Sequence, residues 1–229
     1  MITRRTLIKA TPALLLPPLF GVLHGCGGSG GSGGGDGGGP GGSCTPATPV
    51  AGTQPPRGLH VSWTDNPQTT RTLTWFTDGK DDPGSVVEYG PVEAGMSDCD
   101  IAQVAFPLRA DGTSQATYGV EALTHSAKAS GIDPARPIRY RVGSDKGGWS
   151  TVRVLQPAPT GKFSFGHFGD HAMSDASRAV LNGMRKAAPD FVLIAGDLSY
   201  ANGEQAIWDQ YFDMLDPLAS RFPIMTCPG

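Results

Sequence analysis

The hydrophobic positions of this chain follow two rhythms. From about Gly58 to Gln156, apolar and polar residues alternate in short runs: LHVSW, RTLTWFT, SVVEYG, ATYGVEAL, HSAKASGI, IRYRVG and STVRVLQ. Alternation with period two, rich in β-branched and aromatic residues, predicts strands. The clusters TDNPQT, DGKDDPG, DPARP and SDKGG supply the turns between them. Many short strands at this spacing predict an all-β sandwich over residues 56–158, with Trp63, Trp75 and Tyr140 as core candidates.

Beyond Lys162 the rhythm changes. KFSFGHFGD (162–170) reads as a strand and SDASRAVLNGMRKAAPD (174–190) as a helix. Ser174 or Asp175 would cap that helix, Ala176, Val180, Met184 and Ala187 would form its apolar face, and Pro189 would end it. DFVLIAGD is the next strand. EQAIWDQYFDMLDPLASRF starts a second helix, with Ile207, Tyr211 and Leu215 on one side, Trp208 and Phe212 beside them, and Pro217 placed to break or kink it. PIMTCPG is a third strand-like run. Strand, helix, strand, helix, strand implies parallel strands with crossover helices, an incomplete α/β unit over 162–229 behind a sandwich of the immunoglobulin or fibronectin type III kind.

Composition separates these parts from what precedes them. The chain has 229 residues, a formal net charge of −3, 33 glycines and 20 prolines. That charge offers no basic field for nucleic acid. Thr3–Lys9 (TRRTLIK) precedes the apolar run ATPALLLPPLFGVL, which is too short and too proline-rich for a bilayer-spanning helix. It predicts an export signal over residues 1–26, of the twin-arginine type or an ordinary secretory one. LHGC (23–26) reads as a lipoprotein processing box that would make Cys26 a lipid anchor, with simple cleavage nearby as the alternative. The glycine-rich residues 27–55 would form a tether. Signal, anchor and tether together place the folded part outside the cytoplasmic membrane, lipid-anchored or secreted. Cys44 and Cys99 either pair or stand as free thiols, and Cys227, in an apolar run, reads as a small buried residue. No cysteine/histidine spacing matches a zinc site.

The chemistry concentrates where strands end. Asp170 and Asp197 each follow a predicted strand, in GD. Either aspartate alone could be a helix cap. Two carboxylates brought to one sheet edge repel each other unless a cation or shared proton intervenes, and ligands of such sheets bind at the strand carboxyl ends. A metal site is therefore expected there.

GDHAMSD followed by GDLSYANG, with a later strand ending in CPG, resembles the metallophosphoesterases and more narrowly the purple acid phosphatases. GLHVSW, SVVEYG and HSAKASGIDPARPIRYRVG…GWS are similar to that family's fibronectin-like domain, so the resemblance runs from roughly Pro56 to Gly229. In the wider class a histidine stands where this chain has Ala172. In purple acid phosphatases its place as a ligand is taken by the tyrosine of Gly-Asp-x-x-Tyr, present here as Gly196, Asp197 and Tyr200. The resemblance implies Fe(III) plus a divalent ion (iron, zinc or manganese), with Asp170 and Tyr200 on the ferric ion, Asp197 bridging, and metal-assisted hydrolysis of a phosphate ester. His171 is off register for the metal; a solvated loop histidine is the expectation, with a place behind the ligands or against substrate as the alternative.

Two departures qualify the resemblance. The family's Gly-Asp-x-Gly is Gly169-Asp170-His171-Ala172 here, and Ala172 lacks glycine's freedom at positive φ; Ile138 stands where such sandwiches often place a corner tyrosine. The family's next motif, Gly-Asn-His-Glu or Gly-Asn-His-Asp, is matched only by Gly229. Its catalytic histidine and remaining ligands are therefore expected beyond Gly229, and the chain by itself is expected to bind metal poorly and turn over little. The function expected of the parent enzyme is acid phosphatase, with a phosphodiesterase or pyrophosphatase on the same site, a degenerate pseudoenzyme, or a non-catalytic surface binding module as alternatives.

Overall fold

A computed structural model describes residues 51–227. The export motif, Cys26, the glycine-rich tether as far as Val50, and Cys44 lie outside them. Cys99 is disulfide-bonded.

The described residues are mostly β-sheet. One antiparallel sheet runs in the order β1 (Arg57–Ser62), β2 (Thr70–Asp78), β6 (Ala122–Ser130), β5 (Thr113–Ala116). The second runs β4 (Leu108–Asp111), β3 (Val86–Pro91), β7 (Ile138–Ser144), with β8 (Gly148–Trp149) and β9 (Arg153–Leu155) both on β7. The inward faces close on Leu59, Val61, Leu73, Trp75, Val87, Tyr140, Val142 and Leu155. Trp75 and Tyr140 are fully buried. Trp63 is only half-buried: it lies just past β1 and packs on Phe191, 5.2 Å between rings, outside the sandwich core. ATYGVEAL does not form one strand, because Thr117–Gly119 turn the chain and leave Tyr118 89% exposed. Helix α1 (Asp98–Gln103) carries no apolar stripe; the Ser97–Asp100 capping box starts it, and the Arg139 guanidinium, itself buried, donates to Val104 and Ala105 carbonyls just beyond it.

The rest of the chain builds three parallel strands in the order β10 (Phe165–Phe168), β12 (Phe191–Ile194), β14 (Ile224–Thr226), with α2 (Asp175–Ala187) and α3 (Gln205–Ala219) as the crossovers. Phe168, Val192, Ile194 and Ile224 share one face and pack with Leu181 of α2 and Tyr211, Met214, Leu215 and Leu218 of α3. At Gly166 a Cβ would stand 2.7 Å from the Met184 sulfur, so the glycine lets α2 lie close on the strand.

Four expectations change here. The buried face of α2 is Ser177, Leu181 and half-buried Met184, one residue round from the expected one; Ala176, Val180 and Ala187 are exposed. The Ser174 hydroxyl, accepting from Ser177 N at 3.1 Å, and the seat of Met184 on Gly166 fix that rotation. Pro217 lies inside α3, which stays helical to Ala219. It sits in the last turn, where one lost hydrogen bond is outweighed by burial of Leu218 and Ala219. Cys227 is exposed, because alternation from buried Ile224 turns Met225 and Cys227 to the sheet face opposite the helices. His171, taken as a solvated loop residue, is buried in β11 (His171–Ala172).

The sandwich and α3 are joined through specific polar contacts. Leu59 N donates to Asp216 Oδ2 at 2.9 Å, Arg57 pairs with Asp209 at 3.0 Å, and the Tyr140 hydroxyl donates to the Ser220 carbonyl at 2.6 Å. His60 stacks on Phe212 with ring centroids 4.7 Å apart.

The packing of α2 gives a direct check. Leu181→Ala should cost about 2–5 kcal/mol in urea unfolding, whereas Val180→Ala should stay within about 0.5 kcal/mol. Equal losses would mean that the apolar face is the one read from the sequence.

Candidate functional site

The parallel pairing of β10 with β12 continues beyond both strands. Ala195 N donates to Phe168 O at 2.8 Å, Asp170 N to Gly196 O at 3.3 Å and His171 N to Asp197 O at 3.0 Å. The chains then pair again as β11 with β13 (Leu198–Ser199). This carries Asp170 and Asp197 side by side past the strand carboxyl ends, both exposed. Tyr200, three residues after Asp197, turns back over them. Its hydroxyl donates to Asp170 Oδ1 at 2.8 Å and stands 3.5 Å from Asp197 Oδ2.

The backbone here is strained. Asp170 (φ 50°), Asp197 (50°), Ser199 (59°), Tyr200 (51°) and Asn202 (49°) are all left-handed. Ala188 is the one other non-glycine residue of this kind among the described residues. Aspartate and asparagine accept this conformation readily; tyrosine does so at about 1–2 kcal/mol. Strain gathered in two facing loops points to a geometry held for use. Gly196, at φ 87°, makes the turn that the sequence assigned to it. Positive φ falls on Asp170, and Ala172 sits in β11, so the alanine that replaces glycine imposes no strain.

The Tyr200 phenol is held by its bond to Asp170 and by the charge of both carboxylates, which push its pKa up to about 12. A proton therefore stands where the two carboxylates need positive charge. A bound cation reverses that logic by stabilising phenolate. The three side chains offer hard oxygen donors only, which fits a hard cation. Among the described residues no group of three or more His, Cys, Asp and Glu side chains is placed to hold a metal; the third donor of this site is a tyrosine.

His171 lies beneath the loop. Its Nε2–H donates to the Ser177 carbonyl at 3.1 Å, tying the loop to the first turn of α2. Its ring is held between Phe168 and Tyr211, at 4.7 and 5.6 Å. Burial keeps it neutral by lowering its pKa. Its Nδ1 and the Tyr211 hydroxyl are both buried without a partner. Ala172 and Met173, directly after His171, carried a burial signal, which the adjacent Asp170 obscured.

Residues 56–156 match the family described as Purple acid Phosphatase, N-terminal domain. Over these residues the chain is similar to the N-terminal domain of the purple acid phosphatases. Purple acid phosphatase 5 of Arabidopsis thaliana is 29% identical over 192 residues, covering 79% of this chain and 46% of its own length. Acid phosphatase type 7 of Mus musculus is 26% identical over 186 residues, covering 76% and 40%. Probable inactive purple acid phosphatase 9 of Arabidopsis thaliana is 25% identical over 198 residues, covering 76% and 30%. The chain thus spans less than half the length of these relatives. A solved purple acid phosphatase from yellow lupin seeds shares its fold, with a TM-score of 0.64 at 21% identity over 77% of this chain and 35% of that one. The similarity with the longer relatives extends past the N-terminal domain toward the strands that carry Asp170 and Asp197.

Asp170→Asn removes the acceptor charge that raises the Tyr200 pKa. Ultraviolet titration of the tyrosines, with Tyr200→Phe as reference, should show the Tyr200 transition moving down toward the ordinary value near 10. An unmoved transition would mean that the phenol does not rest on Asp170.

Proposed function

We propose that this chain carries the first ligands of a dinuclear metal centre in an acid phosphatase that hydrolyses phosphate monoesters. The observation that carries the reading is one phenol hydroxyl set between two strand-end carboxylates. Asp170 and Tyr200 would hold a ferric ion, and Asp197 would reach both that ion and a divalent one, iron, zinc or manganese. When bound, the two ions acidify a water and stabilise charge on the phosphoryl oxygens. The protein's part is to hold the donors in place before any ion arrives. Tyr200 would hold the ferric ion as a phenolate, its proton passing to solvent, and the exposed Asp197 carboxylate would donate to both ions. His171 keeps the Asp170 loop on α2. The Arg4-Arg5 pair and Cys26 support placing this chemistry outside the cytoplasmic membrane, on a lipid anchor or secreted.

One relative is named inactive, so family membership alone does not carry turnover and the metal must be read directly. Ferric ion added as a soluble chelate in large excess, which offsets the weak binding expected of Asp170, Asp197 and Tyr200 alone, should give the chain a visible phenolate-to-iron absorption band that Tyr200→Phe lacks. A band of equal strength in Tyr200→Phe, or none in the chain, would contradict the assignment. With the remaining ligands of the family motif present, p-nitrophenyl phosphate should be hydrolysed faster than its bis ester; the opposite order would favour the diesterase reading.

A further inference from the structure

The arginines of the described residues divide into two groups. Arg57, Arg109, Arg136, Arg141 and Arg153 pair with carboxylates, and Arg71 and Arg139 donate to backbone carbonyls. Arg178, Arg185 and Arg221 have no ion pair or side-chain hydrogen bond. All three line the adjoining clefts between α2 and the end of α3, joined there by Lys186. The larger cleft, about 520 Å³, is bounded by Asn182, Arg185, Lys186, Arg221 and Phe222, and the smaller, about 150 Å³, by Arg178 and the Leu181–Met214 contact among others.

Helix ends explain part of this. Arg185 and Lys186 sit in the last turn of α2 and Arg221 just after α3, where helix dipoles favour cations. The dipoles do not explain why three cations face one cleft with no carboxylate in reach. Asp216, the nearest acid acting on Arg221, is committed to Arg153 at 3.6 Å and to the Leu59 amide. Partial burial lowers the Arg221 pKa, and repulsion from Arg153 and Arg185 adds to that. Asn182, Arg185, Lys186 and Arg221 are all exposed around the cleft, and like charges drawn together in this way are stabilised by an anion. Arginine forks with a lysine and an amide suit the oxygens of a phosphate group.

The geometry points to a phosphate-binding cleft formed by Arg185, Lys186, Arg221 and Asn182. It is distinct from the candidate metal site: α2 and α3 return antiparallel to the strands, so their last turns lie at the strand amino ends, away from Asp170, Asp197 and Tyr200. The whole-chain charge of −3 conceals this local positive field. Two sources offer the same chemistry, free inorganic phosphate and the headgroup of an anionic phospholipid.

The test compares the chain with the double variant R185Q/R221Q, both in chelator so that no metal contributes. Neither side chain has a native partner to lose, so both proteins should show the same far-ultraviolet circular dichroism, and the variant should melt at the same temperature or higher. In one arm inorganic phosphate is titrated in a melting experiment; in the other, vesicles of phosphatidylcholine with and without phosphatidylglycerol are sedimented with protein. A phosphate-dependent rise in melting temperature that the variant loses assigns the cleft to free phosphate. No such rise, with phosphatidylglycerol retaining the chain several-fold more than the variant, assigns it to the headgroup. Identical behaviour of the two proteins in both arms overturns the proposal.

Discussion

The parallel register between β10 and β12 does not end with the sheet. Its hydrogen bonds run on through Ala195, Asp170 and His171 into the short β11–β13 pair. That continuity brings two aspartates to the same height at the strand carboxyl ends. Neither carboxylate is placed by its own loop: each is placed by the other chain's backbone. The cost is repulsion between like charges, offset in the free protein by a single phenol proton. The left-handed backbone from Asp197 to Asn202 turns Tyr200 back to deliver it.

Support for this geometry comes from below and from the side. His171 ties the first loop to α2, and Ser174 caps the same helix turn. Helix α3 then connects the α/β part to the sandwich through Arg57, Leu59, Tyr140 and Arg153. The all-β part thus acts as a brace for α3, and α3 in turn buries Tyr211 against His171. A path of packed side chains joins the sandwich core to the strained loops.

Much of this was legible in the sequence because the decisive signals are local. Alternation found β2, β3 and β7, and the pattern of Gly, Asp and Tyr around residues 196–200 marked the cluster in which Tyr200 meets both aspartates. What could not be read depended on partners distant in the chain. The face of α2 is set by Met184 meeting Gly166 across the sheet, and apolar spacing alone favoured Val180 instead. Pro217 is tolerated because tertiary burial holds the last turn of α3. The unpaired arginines at the far end of α2 and α3 vanish in a net charge and appear only once every other arginine among the described residues has its partner assigned.

We propose that Asp170, Asp197 and Tyr200, which meet at the Tyr200 hydroxyl, converge to hold a cation. Crystals of the chain grown with ferric ion, measured on both sides of the iron absorption edge, test it most directly. An anomalous peak is expected within bonding distance of carboxylate oxygens from both aspartates and of the Tyr200 hydroxyl. Iron bound elsewhere, or three well-ordered side chains with no anomalous density between them, would contradict it.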